Sequence, residues 1–118
     1  MSKLYKINNL AYEIREVSQE RMRALLEEYN ERNMDEKPNK TRYMGLTFND
    51  VCIIYLDEEI PKDRKRKILM HELMHAYINC YITDTDNFNQ EALCDISANS
   101  HDIIHNIVED YFKAVKNE

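Results

Sequence analysis

The sequence predicts a small α+β domain: β-hairpin, helix, β-hairpin, helix, helix. Three observations predict it. Apolar residues alternate at period two over 10–16 and run unbroken over 51–56, with Asn-Asn and Asn-Asp pairs where tight turns are needed. Apolar residues return at helical spacing over 19–31, 61–82 and 89–115. The 118 residues suit one modest core, so 1–118 reads as a single domain.

The elements follow in order. "LYKI" (4–7), Asn8-Asn9 and "LAYEIRE" (10–16) form a hairpin. Leu10, Tyr12 and Ile14 point inward, and Asn tolerates the positive φ of a tight turn. Ser18 is the N-cap of helix 19–31, with Val17 and Met22 as its staple and Met22, Leu25, Leu26 and Tyr29 as its buried stripe. "NERNMDEKPNK" (30–40) is a polar connection. "TRYMGLTF" (41–48), Asn49-Asp50 and "VCIIYLD" (51–57) form a second hairpin, whose last strand is apolar on both faces and so covered on both sides. Gly45, the sole glycine, marks a bulge or a close backbone approach. Pro61 opens a helix to about 82. "TDTDNFN" (83–89) is a loop, and a last helix runs from about Asn89 to 115, burying Leu93, Ile96, Ile103, Ile104, Ile107 and Tyr111. The sheet is expected to be short and antiparallel, packed on these last two helices.

The composition excludes several classes. A formal net charge of -6 and a pI near 5.2 argue against nucleic acid as the main ligand. The basic run "KDRKRK" (62–67) reads as the solvated entry to a helix. Residues 1–20 lack an apolar signal region, and no apolar run reaches the roughly 18 residues of a membrane span. Cys52, Cys80 and Cys94 are odd in number without a C-x-x-C, which suits reduced, buried thiols in a cytoplasmic protein.

The chemistry concentrates in "ILMHELMHAYI" (68–78). His71 and His75 are four apart, so on a helix they stand one above the other and can converge on one ion. Glu72, about 100° round, reaches a water beside the ion rather than the ion itself. Zinc brings such a water's pKa towards 7, and a carboxylate takes its proton as general base. Ile68, Leu69, Leu73, Ala76 and Tyr77 surround the pair, so this is expected to be a core helix whose buried imidazoles need the partner that a metal supplies.

A catalytic zinc needs a third protein ligand and an open position. Ile78 and Tyr81 occupy the glycine and histidine positions of the longer H-E-x-x-H-x-x-G-x-x-H motif, which is therefore excluded. The remaining candidates are Asp84, Asp86, Glu91, Asp95, His101 and His105. The loop aspartates follow the helix closely, and the two later histidines lie about 15–20 Å along the last helix from Glu91. Glu91 and Asp95 share a face near that helix's start. Glu91 is read as the third ligand, and Asp95 as the acceptor of an N–H from a ligating histidine. Tyr43, Tyr77 and Tyr81 are candidate oxyanion donors.

His71-Glu72-Leu73-Met74-His75, then Glu91-Ala92-Leu93-Cys94-Asp95 on the next helix, resembles the gluzincin arrangement of zincins. With "LMHELMHAYI" and "NQEALCDISA", the chain most resembles the ImmA/IrrE-type metallopeptidase domains of phages and mobile elements over about 68–98. Gln90 stands where many gluzincins have asparagine. The resemblance implies a small zincin-like fold and a cytoplasmic zinc peptidase acting on or with a repressor-type transcriptional regulator. Two other functions use the same residues. A non-cleaving zinc module would dock on such a regulator, although docking needs no base. A structural site would close with a fourth ligand, Asp95.

Overall fold

A computed structural model describes residues 3–33, 43–81 and 90–116. The elements are β1 (Leu4–Ile7), β2 (Leu10–Val17), α1 (Gln19–Asn33), β3 (Gly45–Phe48), β4 (Ile53–Asp57), α2 (Lys62–Tyr81) and α3 (Gln90–Lys116). The architecture is α+β, as expected. The 83–89 loop, most of the 30–40 connection, and Asp84 and Asp86 fall outside the described residues.

Both hairpins are antiparallel, but the sheet they form is mixed. Its order is β1-β2-β4-β3, and β2 pairs with β4 in parallel, from Glu13↔Ile53 to Val17↔Asp57. This corrects the all-antiparallel expectation. Parallel neighbours need a long crossover, and α1 lies within the connection from β2 to β4. Asn8 takes the positive φ of the first turn, at 56°. The second turn is longer than two residues: Asn49 to Cys52, with Cys52 at φ 57° and its carbonyl accepting the Glu13 N–H at 3.0 Å.

β4 is covered on both faces. Ile54 and Leu56 join a core with Tyr5, Ile7, Tyr12, Ile14 and the inner faces of α2 and α3. On the other face Tyr55 packs with Phe48 and Met22 under α1, where Tyr29 stacks on Phe48 at 4.8 Å. Ser18 caps α1 through its hydroxyl, which accepts the Arg21 N–H at 3.2 Å. The buried Asp57 closes the end of β4 by accepting from Gln19 and from the Glu59 N–H, each at 2.9 Å.

Several burial expectations fail: Val51 is exposed, and Leu25, Leu26, Tyr29 and Ile103 are only half-buried. Leu93 is exposed, while Ser100, Val108 and Phe112 are buried on α3. Cys52 and Cys80 are half-buried and Cys94 is exposed. Leu10 at the hairpin turn stays open to solvent. Among the described residues no helix is long and apolar enough to cross a membrane.

Candidate metal centre

α2 carries the His-Glu-x-x-His segment against the core, but not in the orientation expected. It buries Leu69, Glu72, Leu73, Ala76 and Tyr77. His71 and His75 lie two positions on from Leu69 and Leu73, about 200° round the helix, and so face solvent. The His71 side chain is 69% exposed. The expected burial of the imidazoles is thus corrected: the buried polar member of the motif is Glu72. Solvent satisfies the ring nitrogens, so burial no longer calls for a metal.

The pair still has the spacing of a chelate. The two ring centroids are 4.9 Å apart and the planes meet at 78°. Two imidazoles on adjacent turns suit zinc in donor chemistry. Glu72 lies between this face and the core. Its Oε1 accepts a hydrogen bond from the Thr47 hydroxyl at 2.7 Å, and its Oε2 lies 3.9 Å from His71 Nε2.

Thr47 sits on β3, an edge strand packed along α2. Alternation along β3 sends Leu46 and Phe48 towards α1, and Gly45 and Thr47 towards α2. Gly45 marks a close approach, but of α2 side chains rather than of the second backbone that was expected. A Cβ there would stand 2.6 Å from Ile68 Cγ2 and 2.9 Å from Glu72 Cγ. The role of Thr47 was missed in the sequence. Its available signal was the period-two spacing from the lone glycine.

Glu91 lies in the first turn of α3 and Asp95 one turn on; both are exposed. Among the described residues no three His, Cys, Asp or Glu side chains gather closely enough to hold a metal ion, so Glu91 and Asp95 do not form one group with the histidine pair. His101 and His105 stack at 5.8 Å farther along α3. Tyr77 is buried and packs on the exposed Tyr81 at 4.7 Å. Tyr43 is half-buried and exchanges backbone hydrogen bonds with the Gln19 side chain. None of the three tyrosines is given an oxyanion role by these contacts. The Tyr12 hydroxyl donates to Asn49 at 2.7 Å and accepts from Asn79 at 3.2 Å, tying the second turn to the far end of α2.

Comparison with known proteins gives a match to the family model Peptidase_M78, the IrrE N-terminal-like domain, over residues 26–117, well over half of the chain. No curated protein and no solved structure matches.

Proposed function

This chain belongs to the IrrE N-terminal-like domain family and is a metallopeptidase-like domain; on that premise we propose that it is a zinc-dependent peptidase. His71 and His75 would hold the ion, Glu91 would be the third protein ligand and Asp95 would accept the outer N–H of a ligating histidine, although in this structure neither carboxylate stands in one group with the histidine pair. Bound zinc supplies Lewis acidity and lowers the pKa of a water towards 7. Glu72 would serve as the general base, its Oε2 being the oxygen on the His71 side.

One observation carries this proposal. Glu72 is a carboxylate buried beside two exposed imidazoles. A carboxylate on the core face of a helix is costly to bury, and an apolar side chain would pack there at lower cost. Neither docking nor a structural zinc site has a use for it. An extended substrate has a place to pair: β3 is an edge strand, and it lies against α2. The substrate proposed is a cytoplasmic repressor-type regulator of a phage or mobile element, the class the family resemblance implies.

The test is to express wild type or Glu72→Gln beside repressor-type regulators encoded near the gene. Glutamine keeps the size of the side chain but takes no proton. Wild type should shorten the regulator on a gel, and Glu72→Gln should leave it whole with zinc content unchanged. The loss should approach the roughly 10²–10⁴ that general-base catalysis contributes. A regulator intact in both, with its biological response preserved, would instead identify a non-cleaving docking module.

A further inference from the structure

We propose that Thr47 and Gly45 form a seat on β3 that aims the Glu72 carboxylate, with Thr47 a positioning residue for the base; this rests on the peptidase proposal above. The seat is built from alternate residues of one strand. Gly45 pairs with Leu56 and Thr47 with Ile54, so both side-chain positions lie on the face of the sheet that meets α2.

The terminal torsion of a glutamate is broad and leaves its two oxygens free to rotate. The Thr47 hydroxyl removes that freedom by donating to Oε1 at 2.7 Å. The Glu72 carbonyl oxygen, at 3.2 Å, is a second and longer acceptor for the same single proton, so the shorter contact to Oε1 is the one that engages the carboxylate. Oε2 is then the oxygen left on the histidine side, 3.9 Å from His71 Nε2 and beyond hydrogen-bond length.

Gly45 supplies the space. A Cβ at this position would meet Glu72 Cγ at 2.9 Å and Cδ at 3.2 Å, as well as Ile68 at 2.6 Å. Its φ is not positive, so the residue is a glycine for clearance rather than for backbone freedom. A threonine that only satisfied a buried carboxylate would need no cleared channel for the glutamate stem. Together the two residues fix both where the stem runs and which oxygen is engaged.

The test uses the full chain as wild type, Thr47→Ser and Thr47→Val. Carboxyl labelling with a carbodiimide and an amine, on metal-free protein, reports how readily Glu72 leaves its seat. A hydrogen bond to a charged group is strong enough that Thr47→Val should raise labelling at Glu72 by about tenfold, with Thr47→Ser near wild type. Equal labelling in all three overturns the seat, whether or not the protein is a peptidase. The zinc-loaded proteins are then compared on the fastest-cut member of a quenched-peptide library. Thr47→Val should lower kcat by about tenfold or more, within the share a general base supplies. KM and zinc content should hold within about twofold, and Thr47→Ser should restore kcat. An unchanged kcat in Thr47→Val overturns the positioning role. A zinc-loaded wild type that cuts no library member removes the peptidase proposal and this role with it, while the labelling still decides whether the contact exists.

Discussion

Gly45→Ala is the most direct perturbation of the β3–α2 contact. The added methyl would stand 2.6 Å from Ile68 Cγ2, where two carbons rest at about 3.5–4.0 Å, so something must move by about 1 Å. β3 cannot simply retreat, because Gly45 is paired with Leu56, which is fully buried. Overpacking of this kind costs about 1–3 kcal/mol. Alanine returns about 0.4–1 kcal/mol by restricting the unfolded chain, since Gly45 does not occupy a positive φ. The expected net effect runs from about zero to a destabilisation of about 2.6 kcal/mol. Urea unfolding followed by circular dichroism should show a lower midpoint with an unchanged slope. Ile68→Ala removes the nearest clash, so the same Gly45→Ala change should cost at least about 0.5 kcal/mol less in that background. A midpoint above wild type for Gly45→Ala at the same slope, or an equal cost of Gly45→Ala with and without Ile68→Ala, would refute the close approach of β3 to α2.

The other expectations concern the metal and alkaline pH. Elemental analysis should find one zinc per chain in wild type and none in His71→Ala, His75→Ala or Glu91→Ala. Asp95→Ala should still bind, about 10–100-fold more weakly in chelator competition; full zinc in Glu91→Ala would instead make Asp95 the ligand. Burial, with the Asp110 carboxylate as the second cause, pushes the Tyr5 phenol up from 10.0 to about 12. Burial also pushes Tyr12 up, further than Tyr5. The fold favours both phenols neutral, so their contribution is fully present below pH 10 and is lost as pH rises through 10 to 12. Urea midpoints that stay level from pH 9 to about pH 11.5 would refute this, and Tyr12→Phe should flatten the decline.

Local signals were legible in the sequence and distant ones were not. α1 and α2 begin within a residue of their expected starts because Ser18 and Pro61 act within a few positions. The strands of the first hairpin were equally plain, since Asn8 sits in the turn that its side chain tolerates. The parallel joint of β2 to β4 was not legible: it pairs residues about 40 positions apart and leaves the alternation of both strands unchanged. The exposure of His71 and His75 was within reach. Counting apolar neighbours along the chain suggested burial, whereas the 200° separation from Leu69 and Leu73 sends both rings outward. Thr47 stayed hidden because its partner is 25 residues away on another element. The place of Glu91 depends on how α3 sets off from α2, which no local pattern in α3 encodes.

The parallel joint also links stability to the site. Two hairpins can be joined edge to edge in several ways, and only those that put β4 inside the sheet bury both faces and both edges of "IIYL". Burying Ile54, Leu56 and Tyr55 therefore selects an order with β3 on the outside. An edge strand keeps a row of backbone N–H and C=O groups without a sheet partner, which is a hazard unless it is short, covered or used. β3 is only four residues long, and its α2-facing side chains are the lone glycine and the threonine that engages Glu72. The arrangement that satisfies the apolar strand thus also puts β3, among the described residues, at the sheet edge beside the one carboxylate α2 buries. A peptide pairing with that edge would lie next to Glu72 without any further movement of the sheet.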